Sequence, residues 1–141
     1  MIERPKKVLV VDDDLMVRSM FSDYLRKHGF DPETAASAED GLERIIRNQP
    51  DVLLLDIMMA RMNGWQMLDY IRNELGIDEF SLPVIVMSSV VGSELEMEYM
   101  RHRANDWIAK PIKPMVMLLN KIRVVLGLDA LDRATEGDQC N

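Results

Sequence analysis

The stretch that decides the fold is Val8-Leu9-Val10-Val11-Asp12-Asp13-Asp14, four apolar residues followed directly by three carboxylates. A short, β-branched run without alternation is typical of a strand buried on both faces of a parallel sheet. Apolar residues at three- and four-residue steps from Val17 to Leu25 then predict a helix. The carboxylates should therefore lie at the carboxyl end of a strand, where open α/β sheets bind their ligands. Because three crowded negative charges repel one another, we expect a cation there.

Strand and helix patterns alternate five times along the chain. The later predicted strands are a weak edge strand at 30–36, buried strands at 52–55 and 83–87, and a short strand at 107–109. The segment 37–40 resembles a helix-starting capping box, and the last helix is expected to begin near Pro114. This alternation predicts an α/β fold: a doubly wound, five-stranded parallel sheet in the flavodoxin-like order 2-1-3-4-5, with helices on both faces in three layers.

The composition fits one globular domain of 141 residues, with 48% apolar and 29% charged residues. We expect the folded domain at 6–126 and a polar tail or linker stub at 127–141. The net charge of -7 argues against direct nucleic-acid binding, which needs a basic face. The first residues lack the long apolar stretch of a signal peptide or membrane span, and the single cysteine, Cys140, cannot form an internal disulfide. These features favour a cytoplasmic protein without a membrane segment.

The predicted sheet order brings several polar residues to one edge. Asp56 ends the third strand, Ser88 the fourth, and Lys110 follows the fifth. A carboxylate can act as a nucleophile toward phosphorus, while a lysine and a divalent cation neutralise phosphoryl oxygens. Ligand sets made of oxygen alone favour a hard cation such as Mg²⁺. The residues therefore predict a phosphoryl-transfer site rather than a purely structural sheet end.

Four motifs, in order, resemble those of the receiver domain of two-component response regulators. They are Val10-Val11-Asp12-Asp13-Asp14, Leu55-Asp56 followed by Met59 and Gly64, Leu82-Pro83-Val84 leading to Ser88, and Ala104 through Trp107 to Lys110-Pro111. The resemblance covers residues 6–126, which is the whole predicted domain. It implies a signalling phosphoacceptor rather than an enzyme, one that assists only its own phosphorylation and slow autodephosphorylation.

The resemblance also implies which residues carry the chemistry. Asp56 would accept the phosphoryl group from a phosphohistidine of a partner protein. Asp13 would bind Mg²⁺, or Mn²⁺, directly, and Asp12 would bind it directly or through water. The backbone carbonyl of Met58 would be a further ligand beside Asp56.

The remaining positions concern the switch that follows phosphorylation. By resemblance, Lys110 pairs first with Asp56 and then with the phosphoryl oxygens. Ser88 matches the hydroxyl position that follows the phosphoryl group, and Trp107 occupies the aromatic switch position. The bond Lys110-Pro111 is the one that receivers usually hold cis.

Several positions depart from the receiver pattern. Ala60 stands where proline is common, and Trp107 replaces the usual tyrosine or phenylalanine. Met58 and Val90 occupy positions that often carry polar side chains to orient the attacking water, so we expect slow autodephosphorylation. Asp14 is interpreted as a helix cap.

Two other groups are interpreted as ordinary surface. His28 and His102 fall at helix ends or on the surface without a catalytic partner. Glu94, Glu96 and Glu98 are interpreted as a solvated helix face.

The expected partners are a sensor histidine kinase or a histidine phosphotransfer protein, and an output protein or domain. The last helix is apolar on more than one face between 115 and 126, so we hypothesise a homodimer through the fourth helix, the fifth strand and the fifth helix. Two alternatives stay open. One is a haloacid-dehalogenase-like phosphatase with its nucleophile at Asp12, and the other is a receiver-like docking module that is not phosphorylated.

Overall fold

The computed structural model describes residues 4–128. The strands are β1 (Lys7–Val11), β2 (Asp31–Ala35), β3 (Val52–Asp56), β4 (Val84–Ser88) and β5 (Asp106–Ala109). The helices are α1 (Leu15–Lys27), α2 (Ala38–Arg47), α3 (Gly64–Asp69), α4 (Ser93–Arg101) and α5 (Val116–Leu126). No helix between residues 4 and 128 is long and apolar enough to span a membrane. Of the predicted tail at 127–141, the part from residue 129 onward lies outside the described residues.

The five strands are parallel and lie in the order β2-β1-β3-β4-β5, so the predicted fold class is confirmed. Leu55 of β3 is in register with Val11 of β1 on one side and with Val86 of β4 on the other. Because parallel strands all end at the same edge, this register sets the residues that follow β1, β3 and β4 side by side.

The core lies on both faces of the sheet. One apolar cluster lies on the face covered by α2, α3 and α4, and contains Leu53 and Leu55 of β3. The other contains Leu54 of the same strand, together with Phe21 of α1 and Leu118 of α5. Successive side chains of a strand point to opposite faces, and each of the five residues of β3 is buried. Burial on both sides explains why the central strands are continuous apolar runs.

The helix starts agree with the sequence in part. The Asp14 carboxylate accepts a hydrogen bond of 2.9 Å from the Met16 N–H, so the prediction that Asp14 caps α1 is confirmed. The Ser37 hydroxyl accepts one of 3.1 Å from the Asp40 N–H, which is the first half of the predicted capping box.

The last helix begins near Pro114, as expected, since α5 starts two residues later, at Val116. The Met117 N–H donates to the Pro114 carbonyl and the Leu118 N–H to the Met115 carbonyl, each at 3.0 Å. These bonds span three residues rather than four, so the chain enters α5 through a tight turn before the α-helical pattern starts.

The third helix continues beyond α3 as a π-helical segment, Tyr70–Glu74. The Leu75 N–H donates to the carbonyl of Tyr70, five residues earlier, at 2.9 Å. Ile71 and Arg72 are buried in this segment. The apolar spacing predicted a helix here, but not the change of hydrogen-bond pattern.

Candidate functional site

Three carboxylates meet where β1 and β3 end. Asp12 directly follows β1 and is fully buried, and Asp56, the last residue of β3, is 3% exposed. Asp13 is exposed to solvent. One oxygen of each carboxylate lies within 4.8 Å of the other two. The strand register therefore brings together the acids that the sequence singled out.

Asp12 is held by contacts to both of its carboxylate oxygens. Its Oδ1 accepts a hydrogen bond of 3.0 Å from the Asp14 N–H, and its Oδ2 accepts one of 2.9 Å from Lys110 Nζ. Its backbone carbonyl accepts a further bond of 2.7 Å from Arg18 of α1. A fully buried carboxylate requires such partners, because an unpaired buried charge is strongly destabilising.

Asp56 is less fully paired than Asp12. Its Oδ1 lies 3.7 Å from Lys110 Nζ and accepts a bond of 3.2 Å from the Met58 N–H. Burial and the negative charge of Asp12 raise the pKa of Asp56 from 3.8 to about 6. Lys110 and the Met58 N–H act in the opposite direction, since both stabilise the carboxylate. The prediction that Lys110 pairs with Asp56 is thus met at ion-pair distance, although its hydrogen bond goes to Asp12.

Lys110 bridges the two buried acids. Burial alone would lower the pKa of Lys110, but its hydrogen bond to Asp12 and the charges of Asp12 and Asp56 outweigh that effect and raise the pKa. Lys110 stays charged as a result. Its backbone N–H donates to the Ser88 carbonyl at 2.8 Å, which fixes the lysine at the end of the sheet. The bond Lys110-Pro111 is cis, as the resemblance implied, and Lys113-Pro114 is also cis.

The loop after Asp56 returns close to the site. The Gly64 N–H donates to the Ile57 carbonyl at 3.0 Å. A Cβ at position 64 would lie 2.5 Å from the Asp56 carbonyl oxygen and 2.8 Å from Ile57 Cα. Both of those atoms belong to the backbone, so a side chain at Gly64 would displace the segment that carries Asp56. Gly64 therefore belongs to the geometry of the site.

The predicted switch residues are Ser88, the last residue of β4, and Trp107, the second residue of β5. The buried Ser88 hydroxyl donates to the Val90 carbonyl at 2.7 Å and accepts from the Val90 N–H at 3.1 Å, so it braces its own loop. Trp107 is partly buried and packs against the cluster on the face of α2, α3 and α4. Lys121 Nζ lies 5.9 Å from the centroid of the Trp107 ring and pairs with Asp106 at 3.1 Å.

The carboxylate cluster fits a hard divalent cation. Its side-chain ligands would be oxygen atoms of Asp12, Asp13 and Asp56, a set that suits Mg²⁺ or Mn²⁺ better than a soft metal. A cation would also offset the repulsion from Asp12 that contributes to the raised pKa of Asp56. Asp13, the exposed member, leaves the cluster open to solvent on one side.

His102 lies at the end of α4, as expected, but the interpretation of Glu98 is corrected. His102 Nδ1 lies 2.6 Å from Asp69 Oδ1, and His102 Nε2 lies 2.9 Å from Glu98 Oε2. Glu98 therefore does not belong to a purely solvated face. The spacing of four residues between Glu98 and His102 was a signal in the sequence. Asp69 lies on a different helix, so no local pattern could have revealed it.

The comparisons with known proteins agree with this geometry. The sequence model of the response regulator receiver domain family matches residues 8–123. The chemotaxis protein CheY of Thermotoga maritima is 34% identical over 122 residues, which cover 83% of this chain and 97% of that protein. The solved structure of the chemotaxis response regulator CheY4 of Vibrio cholerae has a TM-score of 0.78 and 29% identity, covering 86% of this chain and 98% of that one.

Longer relatives match over their receiver portion. A protein-glutamate methylesterase/protein-glutamine glutaminase of Geobacillus kaustophilus is 36% identical over 124 residues, covering 83% of this chain and 33% of that protein. The chain thus spans about a third of the length of this relative. None of these similarities supports the phosphatase alternative. With 8–123 matched and the sheet order shared, the chain belongs to the response regulator receiver domain family.

Proposed function

We propose that Asp56 accepts a phosphoryl group from a phosphohistidine of a partner protein in a Mg²⁺-dependent reaction, and that this switches the contacts of the chain with other proteins. The observation that carries the proposal is the meeting of a buried carboxylate, two further acids and a charged lysine at one end of the sheet. The chain acts as a signalling phosphoacceptor in the cytoplasm rather than as an enzyme with a separate substrate.

The transfer exchanges one bond to phosphorus for another. A carboxylate oxygen of Asp56 attacks the phosphorus atom, the bond from phosphorus to the histidine nitrogen breaks, and the imidazole leaves with that electron pair and takes up a proton. Because the pKa of Asp56 is raised, its carboxylate is more basic than that of an ordinary aspartate. Lys110 Nζ is close enough to Asp56 to contact the new phosphoryl oxygens. Protonated Asp56 cannot attack, so transfer should weaken as the pH falls below about 6.

The divalent ion would be held by Asp12, Asp13, Asp56 and the carbonyl of Met58. When bound, it would neutralise charge on the phosphoryl oxygens. Asp12 already holds Lys110 and the Asp14 N–H, and these contacts orient it without any ion. Asp13 is exposed, which leaves it available for binding from solution.

The switch follows from the hydroxyl of Ser88. In the structure that hydroxyl donates a hydrogen bond to the Val90 carbonyl and accepts one from the Val90 N–H. A phosphoryl oxygen on Asp56 would compete for the hydroxyl hydrogen, so Ser88 would release Val90 and the β4–α4 loop would move. Trp107 of β5, which is in register with Val86 of β4, would repack in response.

The donor surface lies beside Lys110. An apolar groove of about 300 Å³ runs between α1 and the segment after β5, lined by Val17, Met20, Phe21, Ser89, Lys110, Pro111 and Ile112. Met20, which lines the groove, is exposed, and so are Leu15 and Met16 in the first turn of the same helix. Because exposed apolar side chains beside a site mark an interaction surface, we assign this groove to the sensor kinase or phosphotransfer protein.

Mass spectrometry after incubation with acetyl phosphate and Mg²⁺ tests the proposal. Wild-type protein should gain one phosphoryl group, and Asp56→Asn should gain none. Asp14→Asn is the matched control: it removes a neighbouring carboxylate but keeps a good helix cap, so it should be phosphorylated as wild type is. Chelation of Mg²⁺ should prevent the reaction.

Two results would contradict the proposal. A phosphoryl group that still appears on Asp56→Asn would place the acceptor elsewhere. A wild-type protein that stays unmodified by acetyl phosphate and by a phosphohistidine donor would favour the docking module that is not phosphorylated.

A further inference from the structure

α4 is only lightly attached to the rest of the domain. Of its nine residues, Leu95 is the one that is buried. Met97 and Met100 are exposed at 72% and 69%, and no side chain caps the start of the helix at Gly92. Contacts that join α4 to a neighbouring helix therefore contribute strongly to its position.

His102, which directly follows α4, makes such a contact. Its Nδ1 lies 2.6 Å from Asp69 Oδ1 at the end of α3, and its Nε2 lies 2.9 Å from Glu98 Oε2 within α4. The ring also stacks on Trp65 of α3, with centroids 4.8 Å apart and planes inclined by 20°. The side chain of His102 is 16% exposed.

Both contacts can be hydrogen bonds only in one protonation state of the ring. A carboxylate accepts hydrogen bonds and has none to donate, and a neutral imidazole has a single N–H. Donation to Asp69 and Glu98 at the same time therefore requires the imidazolium. A positive charge also suits the face of Trp65, whose electrons attract cations.

We infer that His102 is a proton-dependent clasp, which holds α4 to α3 firmly as the imidazolium and less firmly when the ring loses a proton. The neutral ring keeps one N–H, so one carboxylate then faces a ring nitrogen that has no hydrogen. The clasp is therefore tight when the ring is protonated and weakens as the pH rises. This device goes beyond phosphoryl transfer, and it operates in the chain without a phosphoryl group.

The clasp and the β4–α4 loop line the same cleft. Trp65 and Glu98 line a cleft of about 220 Å³ between α3 and α4, together with Ser88 and Val90. Opening of the clasp would free one wall of this cleft. The β4–α4 loop around Ser88 should then rearrange more easily.

The basic side chains next to His102 in sequence are already engaged. Arg101 Nη1 lies 3.1 Å from Glu98 Oε1, the oxygen that His102 does not use. Arg103 Nη2 pairs with Glu79 at 2.8 Å. Glu94 lines the cleft one helical turn before Glu98. The groups that face the ring are therefore Asp69 from α3 and Glu98 from α4, both negative.

Amide hydrogen exchange of the unphosphorylated protein, measured across about pH 6 to 8, tests the clasp. After correction for intrinsic exchange, the amides of α4 should lose protection as the pH rises. His102→Gln should show the low protection at every pH. Asp69→Asn keeps the histidine and removes the carboxylate across the interface, so it should lower the protection in the same way.

Controls separate this effect from unfolding and from the phosphorylation chemistry. His28→Gln removes the other histidine and should leave the pH dependence of α4 intact. Amides of α2 should remain protected in each variant, which shows that the domain is folded. Equal, pH-independent protection of α4 in wild type, His102→Gln and Asp69→Asn would overturn the inference, whether or not Asp56 accepts a phosphoryl group.

Discussion

The ionised carboxylate of Asp56 destabilises the folded domain. An acid whose pKa is raised by folding binds its proton more tightly in the folded state than in the unfolded state. This cost is absent below about pH 4, where Asp56 is protonated in both states, and it is complete above about pH 6. The shift from 3.8 to about 6 corresponds to roughly 3 kcal/mol. This loss of stability occurs at the position where the proposed chemistry needs a carboxylate.

Asp56→Asn should therefore stabilise the protein. We expect its free energy of unfolding in urea to exceed that of wild type by roughly 1–3 kcal/mol near neutral pH, because the uncharged amide removes the buried charge and its repulsion from Asp12. The advantage should shrink below about pH 6 and vanish near pH 4. Asp14→Asn, the exposed control, should change little at any pH. A variant less stable than wild type near neutral pH would contradict the prediction.

Met58 and Val90 are expected to make the phosphorylated form long-lived. Both side chains are 63% exposed, and neither can hydrogen-bond an attacking water. Met58→Asn supplies a polar group at that position and should speed loss of the phosphoryl group about tenfold, the equivalent of one hydrogen bond of about 1.4 kcal/mol.

The decay of the acyl phosphate in Mg²⁺ measures this effect. Met97→Asn, which changes an exposed methionine of α4, serves as the control and should decay as wild type does. Equal rates for Met58→Asn and wild type would show that position 58 does not limit hydrolysis.

Among the elements, the buried guanidinium of Arg72 joins two loops to the third helix. It is 4% exposed, in the π-helical segment after α3. It donates to the carbonyls of Arg103, Ile77 and Leu82 at 3.0–3.1 Å and to the Asn105 side chain at 3.2 Å. Burial lowers the pKa of Arg72 to about 10, which still leaves it charged at neutral pH. These bonds tie α3 to the loop before β4 and to the loop before β5.

Arg72→Met should destabilise the domain by about 3 kcal/mol or more, because it leaves several buried carbonyls without a donor. Urea unfolding gives the value. Arg72→Lys keeps the charge but lacks the planar guanidinium, so its free energy of unfolding should lie between those of wild type and Arg72→Met. The control, Arg26→Met, removes an exposed partner of Asp23 and should cost less than about 0.5 kcal/mol. A small loss in Arg72→Met would show that water replaces the lost donors.

At the scale of the whole molecule, the exposed methionines favour assembly through the surface of α4, β5 and α5. Met97 and Met100 of α4, and Met117 and Val124 of α5, are exposed at 72%, 69%, 46% and 66%. Apolar side chains concentrated on such a surface favour a partner or a second copy. We retain the homodimer as a proposal.

Sedimentation with and without beryllium fluoride, which mimics the phosphoryl group, tests the homodimer. We expect the mimic to increase the dimer fraction, and Met97→Glu or Met100→Glu to reduce it, because each places a charge in the contact. Ile46→Glu introduces the same charge at a 65% exposed position of α2 and should leave the dimer unchanged. A strict monomer under both conditions would exclude this mode of output.

Local patterns in the sequence were enough to predict the sheet order and the residues at its carboxyl edge. Its information lies in local patterns: apolar runs require burial on both faces, and Asp12, Asp56 and Lys110 follow such runs directly. Parallel pairing then forces these residues to one edge. The cap at Asp14 was also predictable, since a capping side chain bonds to an N–H two residues away.

The contacts between different helices, strands and loops became visible in the folded structure and could not be predicted from local sequence patterns. The hydrogen bond from Lys110 to Asp12 rather than Asp56, the four partners of Arg72 and the clasp of His102 on Asp69 each join residues that are distant in the chain. The distances between these residues depend on how the helices, strands and loops pack against one another. Side-chain packing sets that arrangement, and the spacing of apolar residues along the chain does not reveal it. The raised pKa of Asp56 belongs with them, because burial and the approach of Asp12 exist only once the sheet has formed.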